Sequence, residues 1–226
     1  MRILVVTATA AEVAPLTAGL ESCGRADGQI ARGPRGARHI DVLSTGVGMV
    51  AMGVRTSRAL LSATYDLVLN LGVCGSFRQD LAPGTVVHVI ADLLPELGAE
   101  DGDAFLSAHE LRLLGEDEFP FQSGELRNVN PPDNHVLRQL RTVRGITVNT
   151  VHGNAASIAR TVERVDPDVE SMEGAAFMYA CLVAGVPFAQ VRAVSNAVER
   201  RHRAAWKLRE AIDALGDAAF AIIDRA

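Results

Sequence analysis

Cysteine is scarce in this 226-residue sequence, and the cysteines it has are not paired. Cys23, Cys74 and Cys181 are an odd number, and they form neither a CxxC pair nor a Cys/His cluster at metal-ligand spacing. The pattern predicts a protein of the reducing cytoplasm that holds no structural zinc.

An excess of positive charge and long apolar runs are also absent. The 22 Lys and Arg residues are outnumbered by 27 Asp and Glu, a formal net charge of −5, so no basic face is expected for nucleic acid. Every apolar run ends well short of the about 20 residues that a membrane-spanning helix needs, so we expect no membrane partner. The ILVV run after Arg2 is too short for a signal peptide and predicts a buried first strand.

Short runs rich in β-branched residues alternate with stretches of helical periodicity, which is typical of an α/β domain with a largely parallel sheet. The predicted strands are RILVVTA (2–8), HIDVLSTG (39–46), YDLVLNLG (65–72), TVVHVIADLL (85–94), ITVNTVHG (146–153) and PFAQVRAVSN (187–196). Several are apolar almost throughout, as expected for strands covered on both faces. We therefore predict a three-layer sandwich around a central twisted, mostly parallel (mixed) β-sheet.

Three longer segments have helical patterns, at residues 49–63, 173–185 and 204–226. The stretch from Pro95 to Pro132 is richer in Gly, Pro and acidic residues, and it predicts a long excursion over one edge of the sheet. No internal repeat or low-complexity segment interrupts the chain, so residues 1–226 are predicted to form one domain.

Carboxylates stand at positions where the apolar pattern does not need them. Glu12 follows the first strand, and it is either a general base at a cleft or an acid in the first turn of a helix. Glu173 begins an otherwise uncharged helix, where a carboxylate must be paired or bound to ligand hydroxyls, and a functional role is favoured over a structural ion pair. Glu170 is predicted to be a solvated or capping acid.

Glycines cluster in S-T-G-V-G (44–48) and L-G-V-C-G-S (71–76), after two predicted strands. Such glycines can bring backbone N–H groups close to a small ligand because they carry no Cβ. Neither segment matches GxGxxG or the P-loop. The sequence therefore predicts no dinucleotide or other cofactor, and no metal.

Five motifs, in order along the chain, resemble those of the purine nucleoside phosphorylase and nucleosidase superfamily. They are A-x-x-x-E-V (8–13), S-T-G-V-G-M-V (44–50), L-G-V-C-G-S (71–76), V-x-S-M-E-G-A-A (169–176) and V-R-A-V-S-N (191–196). The resemblance covers essentially the whole chain. It implies a nucleoside phosphorylase-like fold, a single nucleosidase domain and a small-molecule nucleoside substrate.

The resemblance also implies roles for residues of the site. Nucleosidases of this superfamily carry a water-activating Glu at the position of Glu12, whereas phosphorylases hold phosphate with basic residues, and hydrolysis is therefore favoured. The family's Met-Glu pair corresponds to Met172 and Glu173, with the Met against the ribose and the carboxylate on its hydroxyls, where it stabilises an oxocarbenium-like cation. The further substrate-binding residues implied are Gly72, Val73 and Cys74 beside the ribose, and His152 and Asn154 beside the base.

Asn196 stands where adenine-specific nucleosidases carry an Asp that protonates N7 of the leaving adenine. An Asn amide can donate to O6 or N7 of a 6-oxopurine but cannot supply a proton, so the predicted base is hypoxanthine. The continuation S-N-A-V-E-R-R-H-R-A-A-W (195–206) and the extra Ser171 resemble the futalosine hydrolase branch of the superfamily. That resemblance implies release of hypoxanthine from futalosine in the menaquinone route.

Other functions stay open on the sequence alone. An adenine-releasing nucleosidase, acting on methylthioadenosine, adenosylhomocysteine or aminodeoxyfutalosine, is opposed mainly by Asn196. A phosphorylase would depend on phosphate, and a catalytically idle nucleoside-binding protein would gain little from Glu12. The residues for the carboxyphenyl group of futalosine are not identified, since the cluster of Arg200, Arg201 and Arg203 is more often a solvated face.

The resemblance further implies a homodimer. An apolar stripe with Met49 and Met52 on the helix at residues 49–63 fits the contact between subunits, but the same stripe fits the core of one chain equally well.

Overall fold

The predicted alternation of strands and helices is present in the structure, a computed structural model that describes residues 1–22 and 28–226. Cys23 lies outside the described residues, while Cys74 and Cys181 are buried free thiols. None of the helices in these ranges is long and apolar enough to cross a membrane.

The strands are β1 (Arg2–Thr7), β2 (Glu21–Ser22), β3 (Gln29–Arg35), β4 (Arg38–Ser44), β5 (Leu67–Ser76), β6 (Val86–Leu93), β7 (Gly98–Asp101), β8 (Ala104–Ser107), β9 (Phe121–Gln122), β10 (Glu125–Arg127), β11 (Arg141–Thr147), β12 (Val169–Ser171) and β13 (Phe188–Ala197). The α-helices are α1 (Ala14–Thr17), α2 (Met49–Ser62), α3 (His135–Gln139), α4 (Ala155–Val165), α5 (Gly174–Ala184) and α6 (Leu208–Asp224). Short 3₁₀ turns cover Ala10–Val13 and Arg203–Ala205.

Within the described residues, eleven of these strands form one mixed sheet in the order β2-β3-β4-β1-β5-β12-β11-β6-β10-β9, with β13 pairing with both β5 and β6. The pairs β1–β4, β1–β5, β5–β13, β6–β11 and β11–β12 are parallel. The pairs β5–β12 and β6–β13 are antiparallel. Strands β5, β13, β6, β11 and β12 therefore pair around a closed ring, which brings several strand ends together.

Helices cover both faces of the sheet, as the packing of strand β1 shows. Its side chains alternate between the faces, so that Ile3 and Val5 pack in one core cluster with α6, whereas Leu4 and Val6 pack in another with α2 and α5. The predicted three-layer arrangement with a mixed central sheet is confirmed.

Two predicted strand boundaries are wrong. The strand predicted at residues 146–153 is β11, which ends at Thr147, and its first five residues were missed because Arg141 and Arg144 interrupt the apolar pattern. Strand β5 does not end at Gly72 but continues to Ser76, because the adjacent strand β13 pairs with it up to that residue. The glycine-rich segment at residues 71–76 is therefore part of a strand and not a loop.

The excursion from Pro95 to Pro132 contains the β7–β8 hairpin and the short strands β9 and β10. Strand β10 pairs with β6, so the segment returns to the sheet as expected. The last predicted helix begins at Leu208, four residues later than its pattern suggests, because Arg203–Ala205 form a separate turn.

The outer side of α2 and α5 carries exposed apolar residues. Met52 is fully buried in the core, so the stripe predicted from Met49 and Met52 does not reach the surface at Met52. Met49 is half-buried and borders a surface groove between the helices. We define the α2/α5 face by the exposed residues that line this groove, which are Val50, Val54, Leu61 and Tyr179.

Candidate active site

A cleft of about 280 Å³ opens at the ends of β1, β5, β12 and β13, close to the smallest small-molecule sites, which measure about 300–1,000 Å³. No Lys or Arg is among the described residues that line it. Nor does any group of three His, Cys, Asp or Glu in the described ranges have a geometry that could hold a metal ion. The predicted site residues that line the cleft are Glu12, Val73, Cys74, Met172, Glu173 and Asn196.

Glu12 is the third residue of the 3₁₀ turn Ala10–Val13, and hydrogen bonds hold both oxygens of its carboxylate. Its Oε2 accepts hydrogen bonds from the hydroxyls of Thr7 and Thr9, both at 3.0 Å, and from the Thr9 backbone N–H at 2.9 Å. Its Oε1 accepts from the backbone N–H of Val73 at 3.1 Å. Glu12 therefore lies in the first turn of a helix, where it completes a capping box, as one interpretation predicts. Its carboxylate also borders the cleft, the position that the second interpretation requires, and its role as a general base stays a prediction.

Glu173 occupies the N-cap position of α5, and its side chain turns into the cleft. Its Oε1 accepts the backbone N–H of Gly48 at 2.8 Å. Burial raises the pKa of this carboxyl above its usual range, and the nearby Glu12 carboxylate adds to the increase in pKa. The residue is 8 % exposed, which fits the prediction that this carboxylate is not a solvated surface group.

Gly72, predicted to lie beside the ribose, does not itself line the cleft, but its lack of a side chain makes room for the guanidinium of Arg192 beside Glu12. A Cβ on Gly72 would stand 2.5 Å from Nη1 of Arg192 and 3.0 Å from Oε1 of Glu12, so a side chain at residue 72 would displace one of them. Arg192 is buried, and its Nη2 donates to Oδ1 of Asn70. Its charge also acts to lower the pKa of Glu173. Sequence reasoning gave Arg192 no role, although a charge inside the apolar strand β13 was a signal for one.

The neighbouring predicted residues differ in what they offer a ligand. Val73 and Cys74 line the cleft, and Val73 is the residue whose N–H holds Glu12. Burial raises the pKa of the Cys74 thiol to about 12, so this thiol stays protonated and is not a nucleophile at neutral pH. Met172 lies between the two acidic residues Glu170 and Glu173 on the cleft wall.

His152 and Asn154 do not line the cleft. The Asn154 side chain caps α4 by accepting the N–H groups of Ala156 and Ser157, and the residue is exposed. The His152 ring lies behind the cleft wall, with Nδ1 at 2.6 Å from Oε2 of Glu170. The structure does not bring these two residues together with the rest of the predicted site.

The prediction that Glu170 is a solvated or capping acid is wrong. The residue is 4 % exposed, it lies on strand β12 between β5 and β11, and it lines the cleft. The prediction failed because the three-residue strand β12 is too short to be detected from its pattern.

Asn196 borders the cleft with its amide group. Its Oδ1 accepts the hydroxyl of Ser195 at 2.8 Å and its Nδ2 donates to the carbonyl of Ala197 at 2.8 Å. Within the described part of the chain, these bonds leave the second N–H of the amide for a ligand.

The remaining wall of the cleft is apolar. Trp206, Leu208 and Ile212 line it, and the guanidinium of Arg201 lies over the Trp206 ring at 5.2 Å from its centroid. Arg201 itself is exposed, as predicted for this basic cluster.

An α/β fold with three acidic side chains and an amide around one cleft, and a buried arginine close behind it, defines the class of this protein. Residues 2–226 match the family model described as the phosphorylase superfamily, and the chain belongs to this superfamily.

Among its relatives are two that carry the name futalosine hydrolase. The protein from Streptomyces coelicolor is 34 % identical over 190 residues, which cover 79 % of this chain and 76 % of the relative. The protein from Thermus thermophilus is 30 % identical over 195 residues, covering 83 % and 82 %. The fold is also similar to that of a 5′-methylthioadenosine/S-adenosylhomocysteine nucleosidase from Colwellia psychrerythraea in complex with adenine, with a TM-score of 0.80, 19 % identity, and coverage of 100 % of this chain and 95 % of the other.

Proposed function

We propose that this protein hydrolyses the N-glycosidic bond of futalosine and releases hypoxanthine and dehypoxanthine futalosine, a step of menaquinone biosynthesis. The observation that carries this proposal is the convergence of Glu12, Glu173 and Asn196 on one cleft. The similarity to two futalosine hydrolases supports the choice of substrate.

In the proposed reaction, Glu12 takes a proton from a water molecule whose oxygen attacks C1′ of the ribose. The bond between C1′ and the purine nitrogen breaks, and its electron pair leaves with the base. Glu173 accepts hydrogen bonds from the ribose hydroxyls, and its charge stabilises the cation that develops on the sugar. Arg192 balances part of the negative charge that these two carboxylates bring into a buried site.

Asn196 donates a hydrogen bond to the 6-oxopurine as it leaves. Because a carboxamide has no acidic proton to give, the departing base takes its proton from solvent. Met172 contacts the ribose, and the backbone of Val73 and Cys74 lies on the ribose side of the cleft, with Gly72 behind them against Arg192 and Glu12.

The carboxyphenyl end of futalosine extends along the apolar wall. Trp206, Leu208 and Ile212 supply a surface for an aromatic ring, and Arg201 stacks on Trp206 where the wall meets solvent. An arginine at that place suits the carboxylate of the substrate.

The protein acts as a homodimer whose contact is the α2/α5 face. Exposed contiguous apolar side chains on two packed helices support this proposal, since monomers rarely leave such a patch open to water.

The deciding experiment follows release of free base by chromatography. Purified protein is incubated in phosphate-free buffer with futalosine, inosine or methylthioadenosine, and the expected result is rapid release of hypoxanthine from futalosine alone. A requirement for phosphate would make the protein a phosphorylase. No release from any of the nucleosides would favour a binding protein.

The alternative with a specific observation behind it is an adenine-releasing nucleosidase. The carboxylate of Glu170 is buried beside the cleft, and it can accept a hydrogen bond from the 6-amino group of adenine just as it can from an N–H group of another base. Adenine release from methylthioadenosine at a rate comparable with hypoxanthine release from futalosine would establish this alternative.

A further inference from the structure

Glu170 is a buried carboxylate in the cleft wall to which the proposed reaction gives no task. It lies next to Asn196 because of the register of the strands. Glu170 on β12 and Asn196 on β13 are both register partners of Gly75 on β5, one on each side of it. Neighbouring residues of this kind project to the same face of a sheet.

Gly75 leaves the space into which the two side chains project. A Cβ on this residue would stand 3.4 Å from Nδ2 of Asn196, 3.4 Å from Cγ of Glu170 and 2.9 Å from a methyl group of Val198. Without that Cβ, a carboxylate and a carboxamide lie side by side at the wall of the cleft. This pair offers a hydrogen-bond acceptor directly beside a donor.

His152 holds the Glu170 carboxylate in place. Its backbone N–H donates to Oε1 at 3.1 Å, its ring Nδ1 lies 2.6 Å from Oε2, and its Nε2 lies 2.8 Å from the hydroxyl of Thr161. These contacts compensate for the burial of the carboxylate. A carboxylate oxygen accepts about two hydrogen bonds, and the His152 N–H also lies 3.4 Å from Oε2, so Oε1 is the oxygen that retains capacity for a donor in the cleft.

A 6-oxopurine has the complementary pattern on one edge, where the N1–H donor stands next to the O6 acceptor. Adenine has the reverse pattern, with an acceptor at N1 and a donor at the 6-amino group. We propose that Glu170 accepts the N1–H and Asn196 donates to O6, so that the two residues together select a 6-oxopurine. His152 is the positioning residue for Glu170. This inference rests on the proposed nucleosidase function.

The test compares futalosine, its N1-methyl derivative and its 6-amino analogue as substrates of the wild-type protein. Loss of the N1–H should lower kcat/KM by roughly 10- to 100-fold, since a buried carboxylate then loses its donor. Equal kcat/KM for futalosine and the N1-methyl derivative would overturn the inference and leave the proposed function intact. If no base is released from futalosine itself, the proposed function fails instead.

A Glu170→Gln variant gives a second, independent readout. The ring Nδ1 and the backbone N–H of His152 lie 2.6 and 3.4 Å from the position of Oε2, so the carbonyl oxygen of the new amide stays there and its NH₂ group takes the position of Oε1, where it meets the N1–H with a donor. We expect kcat/KM for futalosine to fall roughly 10- to 100-fold while that for the 6-amino analogue rises or stays level. The matched control is Glu163→Gln, because Glu163 is an exposed residue of α4 outside the cleft. An unchanged preference in a folded Glu170→Gln variant would contradict the assignment.

Discussion

At the residue scale, Glu12 is held entirely by donors, and this limits what can replace it. All four of its hydrogen bonds come from N–H or O–H groups of Thr7, Thr9 and Val73. In a Glu12→Gln variant, the carbonyl oxygen can keep the three donors on one side, but the NH₂ group then faces the N–H of Val73. The variant keeps the shape of the site and loses the carboxylate that we propose as the base.

We expect Glu12→Gln to lower kcat at least about 100-fold, as is typical for loss of a general base, while substrate affinity changes far less. Single-turnover rates and equilibrium binding of futalosine measure the two effects separately. Glu100→Gln, an exposed residue of β7, is the control and should behave as the wild type. A Glu12→Gln protein with more than a tenth of the wild-type kcat would show that another group activates the water.

Asn196 provides the second prediction at this scale. An Asn196→Asp variant places a carboxylate where O6 of hypoxanthine needs a donor, so kcat/KM for futalosine should fall roughly 10- to 100-fold. The same carboxylate accepts the 6-amino group of adenine, and activity on methylthioadenosine should increase. Base release from both nucleosides measures the change, with Asn130→Asp at an exposed position as control. If Asn196→Asp releases base from both nucleosides at the wild-type rates, Asn196 does not recognise the base.

The sequence allows the prediction of residues that follow strands, and it is less informative about residues paired through tertiary contacts. Glu12, Glu173 and Asn196 could be placed at one cleft because the carboxyl ends of neighbouring strands meet. The pair of Glu170 and His152 could not, since it joins a very short strand to a segment without regular structure.

At the scale of elements, the start of α5 is what holds Glu173 in position. The N–H of Ala175 donates to Oγ1 of Thr147 at 2.7 Å, and this hydroxyl donates to Oδ1 of Asp92 at 2.9 Å. Gln190 donates to the other oxygen of Asp92 at 2.9 Å. The helix that carries Glu173 is therefore tied to strands β11, β6 and β13 through one buried carboxyl group.

Burial raises the pKa of Asp92 to about 6 from a model-peptide value of 3.8. A carboxyl whose pKa is raised on folding contributes stability below its unfolded pKa, and this contribution is lost as the pH rises through the folded pKa. Relative to an Asp92→Asn variant, the free energy of unfolding of the wild type should therefore fall by about 2 kcal/mol between pH 4 and pH 7.

Urea unfolding of both proteins across this pH range measures the difference. The Asn side chain keeps the hydrogen bond from Thr147 or from Gln190 but has no titrating proton. The variant is therefore the reference for the wild type at each pH. A constant difference between the two proteins from pH 4 to pH 7 would mean that Asp92 does not titrate in this window.

The boundaries of elements were predicted well where the pattern was continuous and poorly where it was not. Strand β1 is an unbroken apolar run and was found within one residue, whereas β11 carries Arg141 and Arg144 and was shifted. Strands of two or three residues, such as β9, β10 and β12, depend on their partners in the sheet, and a local pattern contains no signal for them.

At the scale of the whole molecule, the closed ring of β5, β13, β6, β11 and β12 explains why one cleft collects so many functional groups. The ring places the antiparallel neighbour β12 and the parallel neighbour β13 on opposite sides of β5. Residues from distant parts of the chain, including Val73, Glu170 and Asn196, thereby reach the same cleft. The α2/α5 face lies on helices that flank this site, since α5 begins directly after Glu173.

The α2/α5 face gives the last prediction. Val54 is 63 % exposed in its groove, and a Val54→Glu substitution would place two charges in a contact between identical faces. We expect the wild type to be a dimer and Val54→Glu a folded monomer by size-exclusion chromatography with light scattering. The matched control is Val129→Glu, because Val129 is 59 % exposed outside this face. Burying an unpaired charge in a contact between subunits costs several kcal/mol, so Val54→Glu should break a dimer that uses this face. A dimer that Val54→Glu leaves intact, or a monomeric wild type, would therefore show that the α2/α5 face is not a contact between subunits.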